Sequence, residues 1–183
     1  LFIEDYKGDS GKLDSLRDLL SQIAEGNHRV LIFSQFRGML DRIEKELPQL
    51  GLTSFKITGS TPSQERQEMT KAFNQGERDV FLISLKAGGV GLNLTGADTV
   101  ILVDLWWNPA VESQAIGRAH RMGQDQSVEV YRLVTRGTIE EKIQELQEEK
   151  KNLVSEVLDG TESRGSLTLT EIQEILGISE AKT

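Results

Sequence analysis

The sequence predicts an α/β domain in which a parallel sheet is covered by helices on both faces. Segments rich in β-branched and aromatic residues alternate with amphipathic segments of helical period, which is typical of parallel strands joined by helical crossovers. Residues 80–84 and 99–104 are nearly continuous apolar runs, as expected of strands buried on both faces of such a sheet. These observations together predict a three-layer architecture with the sheet in the middle.

The expected strands are short runs of β-forming residues. They cover residues 30–36, 53–59, 80–84, 99–104 and 128–135. Ligands of open parallel sheets bind outside the carboxyl ends of the strands. A functional site is therefore expected in the loops that follow residues 36, 59, 84 and 104.

The expected helices fill the gaps between the strands. They cover residues 12–25, 39–50, 61–73, 108–122 and 138–158. Thr61, followed by Pro62 and Gln64, has the pattern of a helix start, and Thr138 with Glu141 has that of a capping box.

Residues 137–183 are expected to form an acidic helical extension of an α/β lobe, residues 1–136. The extension consists of the long helix, a linker at residues 159–165 and a short helix at residues 170–176. It carries eleven acidic and five basic residues and the lobe carries eighteen and sixteen, so most of the formal net charge of −8 lies in the extension. Because the lobe is close to neutral, the acidic composition does not exclude a nucleic-acid partner.

The composition excludes several kinds of chemistry. The 183 residues are 37% hydrophobic and 27% charged, as in soluble globular domains. Cysteine is absent and only two histidines occur, which excludes disulfides, thiolate catalysis and histidine-rich metal sites. No signal peptide or membrane-spanning run is present, so we expect no membrane partner and a cytoplasmic location. Because the chain begins at Leu1 rather than at methionine, we expect it to be a piece of a longer protein.

A glycine-rich loop, LKAGGVGLNLTGAD, follows the predicted strand at residues 80–84. Its glycines are Gly88, Gly89, Gly91 and Gly96. Such a loop either lets backbone N–H groups approach a phosphate closely or only turns the chain. Both interpretations remain open on the glycines alone.

Two common nucleotide-binding patterns are absent. The Rossmann pattern needs a third glycine where this loop has Leu94, which excludes a nicotinamide-dependent oxidoreductase. The P-loop pattern fails at residues 8–13, where the spacing is short and Leu13 replaces the hydroxyl residue. No acidic pair at a strand end offers a magnesium site either. The sequence indicates phosphate contacts without the groups that would hydrolyse a nucleotide alone.

The segment QAIGRAHRMGQ carries two arginines on one expected helical face. Arg118 and Arg121 are three residues apart, and paired guanidinium groups suit phosphate oxygens. Gly117 is unfavourable in a helix and is explained if another group packs closely there. The alternative is a solvated basic face with a salt bridge to Glu112 or Asp125.

Four segments resemble, in order and spacing, the C-terminal RecA-like lobe of the Swi/Snf-type ATPases of helicase superfamily two. They are VLIFSQF, ITGSTPSQER, LISLKAGGVGLNLTGAD and VILVDLWWNPAVESQAIGRAHRMGQ. The resemblance covers about residues 12–143, and GRAHRMGQ after WWNPA is its most specific part. It implies a RecA-like three-layer domain that is the second lobe of a DNA-dependent ATPase. The residues WWNPA and the lack of long insertions resemble bacterial members of this family.

The resemblance also implies how a nucleotide is bound. In this family ATP and Mg²⁺ lie between two lobes, and the N-terminal lobe carries the P-loop and the acidic magnesium motif. That lobe is therefore an expected partner within the same polypeptide, and the chain alone is expected to bind neither cofactor and to be inactive. Arg118 and Arg121 match the catalytic arginine fingers, while Gly91, Asn93 and Gln114 match positions that border the nucleotide.

A second set of positions resembles the family's DNA-tracking surface, which implies double-stranded DNA as a partner. The matching residues are Ser34, Gln35, Gly59, Ser60, Lys86, Gly88, Gly89 and Trp107. Contacts to phosphates grip DNA without reading its sequence, as a translocating motor requires. We expect Arg66 to brace this region structurally and Trp106 to be buried.

We therefore expect the second motor lobe of an ATP-dependent translocase that moves along double-stranded DNA and remodels or displaces bound proteins. The location would be nucleoid-associated in a bacterium and nuclear in a eukaryote. Two alternatives remain. One is a lobe of an RNA- or DNA-unwinding helicase from a neighbouring branch, and the other is an interaction domain that kept the motor fold without hydrolysis.

Overall fold

The computed structural model describes residues 11–85, 92–105, 116–117 and 128–158, with side chains described up to residue 149. Within this part the strands are β1 (Val30–Ser34), β2 (Ser54–Ile57), β3 (Val80–Ser84), β4 (Thr99–Leu102) and β5 (Glu129–Arg132). The helices are α1 (Gly11–Glu25), α2 (Arg37–Glu46), a 3-10 turn (Leu47–Leu50), α3 (Ser63–Asn74) and α4 (Ile139–Leu158). The helix predicted at 108–122 lies almost wholly outside the described residues, as do the linker and the terminal helix.

The strands form one parallel sheet in the order β2-β3-β1-β4-β5, which confirms the predicted fold class. The central strand β1 shows why the domain has three layers. Val30 and Ile32 pack with α1 and α2 on one face, whereas Leu31 and Phe33 pack with Phe73 of α3 on the other. Because every residue of β1 and β3 is buried, these strands read as continuous apolar runs in the sequence.

The predicted helix starts are confirmed at one position and wrong at another. At α4 the Thr138 hydroxyl accepts from the Glu140 N–H at 3.3 Å, and the Glu141 carboxylate accepts from the Gly137 N–H at 2.9 Å. At α3 the helix begins at Ser63, and the Thr61 hydroxyl accepts from the Thr58 N–H at 3.0 Å instead of capping it. The reason is that the chain turns sharply before α3, so Thr61 closes that turn.

The first half of α4 packs against the lobe. Ile143 and Gln147 are buried. Lys12 of α1 donates to the Glu140 carboxylate at 2.5 Å and to the Val103 carbonyl at 2.9 Å, which ties α1, β4 and α4 together. The boundary predicted between residues 136 and 137 lies within the turn before α4, and its role as a domain limit stays a prediction.

Across the described ranges, no helix is both long and apolar enough to cross a membrane.

Candidate functional site

The carboxyl edge of the sheet, where β2, β3, β1 and β4 end, carries four of the predicted contact residues. Gly59 and Ser60 follow β2, and Ser34 and Gln35 end β1. Since β3 lies between β2 and β1, the two pairs are separated by about 10 Å, twice the usual spacing between strands. The other predicted positions lie outside the described residues: Lys86, Gly88, Gly89, Gly91, Trp107, Gln114, Arg118 and Arg121.

The turn after β2 is shaped by Arg66 of α3. The guanidinium group donates to three backbone carbonyls, those of Thr61 at 2.8 Å, Thr58 at 3.2 Å and Gly59 at 3.1 Å. Inside the turn, the Thr58 and Ser60 hydroxyls are hydrogen-bonded at 2.9 Å. Arg66 thus braces the turn, as the sequence analysis predicted.

The same turn leaves two backbone donors without a partner in the described part of the chain. Gly59 and Ser60 are exposed, and a Cβ placed on Gly59 would have no atom within 4 Å. Arg66 donates to carbonyls of this turn, whereas no described group accepts from the N–H groups of Gly59 and Ser60. Exposed N–H groups of a braced turn are suited to an anion such as a phosphate.

A buried carboxylate, Asp104, organises the turn after β1. Its Oδ2 accepts from the Ser34 hydroxyl at 2.6 Å and from the Gln35 N–H at 2.8 Å. Ser34 is fully buried, so its hydroxyl faces Asp104 and not the surface. Gln35 is half-buried, and its side-chain amide reaches the Leu105 carbonyl at 3.5 Å.

The environment of Asp104 disfavours its charge. Burial raises its pKa above the ordinary value, and the repulsion of Glu140 adds to this, while hydrogen bonds from Ser34 and Gln35 and the charge of Lys12 act in the opposite direction. Sequence reasoning missed Asp104, because an aspartate that ends an apolar strand reads as the start of a loop.

An exposed aromatic ring stands beside this turn. Phe36 is 59% exposed at the start of α2, while its N–H donates to the Ser34 hydroxyl at 3.1 Å. Arg37 and Gly38 next to it are exposed as well. The carboxyl edge thus presents amide, apolar and basic groups side by side.

Asn93, predicted to border a nucleotide, lies apart from the carboxyl edge. Its carbonyl accepts at 2.7 Å from the side chain of Asn74, the last residue of α3, which leads back to the amino edge of the sheet. It contributes to an open cleft of about 420 Å³ along α3, together with Gln67 and Lys71. The structure therefore separates Asn93 from Gln35 and Gly59.

One described residue locates the segment that carries the arginines. Ile116, two positions before Arg118, is partly buried against the same core cluster as Phe73 and Met69 of α3. This contact places Ile116 itself on the α3 side of the sheet. The positions of the arginine side chains themselves are outside the described residues.

No metal site is apparent in the described ranges, where no three His, Asp or Glu side chains are grouped closely enough to hold an ion.

Comparison with protein families gives a direct match. The model of the helicase conserved C-terminal domain matches residues 11–123. The match spans β1 to β4 and the segment with Arg118 and Arg121.

Comparison with characterised proteins gives remodelling enzymes. The chain is 45% identical over 158 residues to the chromatin-remodeling ATPase INO80 of Aspergillus oryzae, covering 86% of the chain and 11% of that protein. It is 46% identical over 153 residues to the human protein of the same name, covering 83% of the chain and 10% of that protein. The chain thus spans about a tenth of the length of these relatives. Both are eukaryotic, so the resemblance to bacterial members receives no support.

Among solved structures, the chain is similar to the crystal structure of the C-terminal part of the Fun30 ATPase domain. The TM-score is 0.71 at 39% identity, over 80% of this chain and 48% of that one. Fold and sequence comparisons agree.

Proposed function

The chain belongs to the helicase conserved C-terminal domain family, as the C-terminal ATPase lobe of a Swi/Snf-type chromatin-remodelling ATPase, and on this premise we propose that it is the second motor lobe of an ATP-dependent translocase on double-stranded DNA. In this role the lobe grips one DNA strand through its phosphates while the enzyme slides or displaces bound proteins. Because phosphate contacts carry no sequence information, such a lobe can advance along any DNA.

The observation that carries this proposal is the braced turn after β2. Arg66 holds the carbonyls of Thr58 and Gly59, and the exposed N–H groups of Gly59 and Ser60 have no acceptor among the described residues. The half-buried Gln35, in the turn after β1, lies about 10 Å away along the same edge. Two such sites along one edge suit successive phosphates of one strand.

The remaining DNA contacts in the proposal come from positions that the structure leaves undescribed. They are Lys86, Gly88 and Gly89 after β3 and Trp107 after β4. Both loops start at the carboxyl edge, because β3 and β4 end there. Ser34 stays in the proposal as the buried residue behind Gln35.

Arg118 and Arg121 are proposed as arginine fingers that stabilise charge on the transferring phosphoryl group, with Gly91, Asn93 and Gln114 bordering the nucleotide. The anchoring of Ile116 beside α3 supports this, since Asn93 lies on the same side of the sheet. ATP and Mg²⁺ would supply the phosphoryl group and its charge neutralisation from the N-terminal lobe of the same polypeptide. The chain alone is therefore expected not to turn over ATP, and any DNA binding by it is expected to be weak and steeply salt-dependent.

We also propose a nuclear location. The fungal and human relatives are named for chromatin, which in such organisms lies in the nucleus.

The test is ATP hydrolysis by the complete parent protein, with and without duplex DNA. Arg118→Lys keeps the charge but loses the planar fork, so we expect turnover to fall by about 10³-fold with ATP binding retained. Arg42→Lys, on the exposed face of α2, is the matched control and should leave turnover unchanged. A wild-type parent without DNA-stimulated turnover would contradict the motor assignment and favour an interaction domain, whereas strand separation would favour an unwinding helicase.

A further inference from the structure

We propose that Asp104 is a positioning residue that holds the turn after β1, and Gln35 in particular, in the orientation in which this lobe contacts DNA. This inference rests on the proposed function for its DNA half and on the geometry of the turn for the rest. Asp104 lies 70 positions from Ser34 and 69 from Gln35 along the chain, so only the parallel pairing of β1 with β4 brings them together.

The first step of the argument is that both donors converge on a single oxygen. Asp104 Oδ2 accepts from the Ser34 hydroxyl at 2.6 Å and from the Gln35 N–H at 2.8 Å. Hydrogen bonds to an ionised acceptor are shorter and stronger than neutral ones, and both distances are in that range. Asp104 is 4% exposed, so water does not compete for these donors.

The second step concerns the direction of the Ser34 hydroxyl. It donates to Asp104 at 2.6 Å, with the Phe36 carbonyl a more distant acceptor at 3.3 Å, and it accepts from the Phe36 N–H at 3.1 Å. An ionised carboxylate can only accept, which favours this order of donors and acceptors. Asp104 thus holds the backbone of Gln35 directly and that of Phe36 through the Ser34 hydroxyl.

The third step is that the Gln35 side chain is held by the same segment. Its amide nitrogen lies 3.5 Å from the carbonyl of Leu105, the residue after Asp104. Backbone and side chain of Gln35 are thus tied to residues 104–105. Trp107, another proposed DNA contact, is three positions after Asp104 in the sequence. Asp104 therefore bonds the start of one proposed contact segment, at Gln35, and precedes the other, at Trp107.

The fourth step is that a carboxylate is a poor choice for stability alone. Burial raises the pKa of Asp104, which means that the fold disfavours the ionised form. Lys12 donates to Glu140 and Val103 rather than to Asp104, so it acts on Asp104 only through its charge. A neutral side chain of the same shape would suit the interior at least as well. Retaining a charge here is explained if the turn must be held in one orientation for its ligand.

The experiment compares Asp104→Asn and Asp104→Ala in the complete parent protein. Asparagine keeps the shape and one acceptor oxygen without the charge, whereas alanine leaves the Ser34 and Gln35 donors without an acceptor. The duplex DNA concentration for half-maximal ATPase stimulation should rise about 3-fold for Asp104→Asn and about 10-fold for Asp104→Ala. The KM for ATP should stay at the wild-type value, because Asn93, the described residue proposed to border the nucleotide, is held at the end of α3 and not at the turn after β1.

Two further readouts separate positioning from folding. Amide hydrogen exchange at Gln35 should accelerate in both variants, and the melting temperature of Asp104→Asn should not fall below that of the wild type. Asp98→Asn is the matched control at the start of the same strand, where Asp98 bonds Thr99 and His28, and it should leave the DNA requirement unchanged. Should Asp104→Ala fail to fold, Ser34→Ala takes its place, with a DNA requirement expected between those of wild type and Asp104→Ala.

The outcomes are distinct. This inference is overturned, and the proposed function left intact, if the DNA requirement stays at the wild-type value in folded Asp104→Asn and also in Asp104→Ala or its replacement Ser34→Ala. If DNA does not stimulate ATP hydrolysis by the wild-type parent, the proposed function is overturned and this inference with it.

Discussion

Each edge of the sheet has an arginine that binds backbone carbonyls, and the two edges use it differently. At the carboxyl edge Arg66 braces the turn after β2. At the amino edge Arg29, just before β1, donates to the carbonyls of Gly96, Glu77 and Arg78 at 2.8–3.2 Å. Its guanidinium group also lies 4.0 Å from the ring centroid of Phe73, which provides a cation–π contact.

The amino edge satisfies its polar groups within the chain. The Asn74 side chain bonds both the Asn93 carbonyl and the Gly96 N–H. The Asp79 carboxylate accepts from the Thr53 N–H and hydroxyl, each at 2.7 Å. Donors and acceptors of neighbouring loops are matched to one another here, so this edge contributes to stability.

At the carboxyl edge the internal hydrogen bonds leave other groups exposed. Arg66 and Asp104 form hydrogen bonds inside the turns after β2 and β1. The N–H groups of Gly59 and Ser60 have no acceptor among the described residues, and the Phe36 side chain is 59% exposed. The comparison shows that an internal hydrogen-bond network can either satisfy the polar groups of a surface within the chain or leave some of them available to a ligand. Parallel strands favour presentation at the carboxyl edge, where the loops that bind ligands begin.

The largest expected difference between the edges comes from the two arginines. Arg29→Ala should lower the free energy of unfolding by about 3 kcal/mol, since it removes several charged hydrogen bonds and the contact with Phe73. Arg66→Ala should cost about 1 kcal/mol, because the turn it braces is largely exposed. Urea denaturation of the chain measures both. Equal losses of unfolding free energy would contradict the view that the amino edge contributes to stability and the carboxyl edge is available to a ligand.

A matched pair of glycines sharpens the same comparison. A Cβ on Gly96 would lie 2.9 Å from the Asn74 Cα and 3.0 Å from the Phe73 carbonyl, so Gly96→Ala should destabilise by about 2 kcal/mol. Gly59→Ala meets no atom within 4 Å and should change stability by less than about 0.5 kcal/mol. Thermal denaturation of both variants is the measurement.

A third substitution places a negative charge at Gly59, the glycine that has free space around it. Gly59→Glu should leave stability unchanged and weaken DNA binding by the parent about 10-fold at low salt, because a carboxylate would face the phosphates. DNA affinity equal to that of Gly59→Ala would show that this turn does not face DNA.

A smaller effect than that of Arg29 is expected from an ion pair beside the carboxyl edge. Burial acts to raise the pKa of Glu140, but hydrogen bonds from Lys12 and Thr135 and the charge of Lys12 outweigh it and hold that pKa below the ordinary value. A lowered carboxyl pKa stabilises the fold above the unfolded pKa of about 4.3, and the contribution is lost as the pH falls through the folded value. Glu140→Gln should therefore cost about 1 kcal/mol at pH 7 and nothing at pH 2, measured by urea denaturation at each pH.

The control for this prediction lies at the amino edge. Asp98 pairs with His28 at 3.1 Å, but the His28 side chain is 53% exposed. Asp98→Asn should change the free energy of unfolding by less than about 0.5 kcal/mol at pH 7. A larger loss there than at Glu140 would contradict the argument from burial.

Much of the architecture could be predicted because apolar runs mark buried strands directly. Val80–Ser84 was predicted with its observed bounds, and β1, β2 and β4 were predicted one or two residues too long at one or both ends. β5 was predicted from 128 to 135 but spans Glu129–Arg132, since among the described strands it pairs only with β4 and its residues are mostly exposed. The role of Arg66 was predictable because the carbonyls that accept its hydrogen bonds lie within eight positions of it along the chain.

The candidate site was predictable only in part. Gly59, Ser60 and Gln35 were identified by resemblance, and the structure places them on one edge. The burial of Ser34 and the role of Asp104 were not predictable, since their contact joins residues 70 positions apart. Asn93 stays a predicted nucleotide contact, and the hydrogen bond by which the Asn74 side chain holds it at the end of α3 was not predictable from the sequence.

By itself the sequence determined the α/β class, the positions of its central strands, and the family, because hydrophobic period and motif order are properties of neighbours along the chain. The tertiary structure decided which polar groups of the sheet edges face one another and which face outward. That choice depends on the strand order β2-β3-β1-β4-β5, which brings Asp104 against Ser34 and Arg29 against Gly96 across long stretches of sequence. Hydrogen bonds across such distances leave no periodic trace, so only the folded chain reveals them.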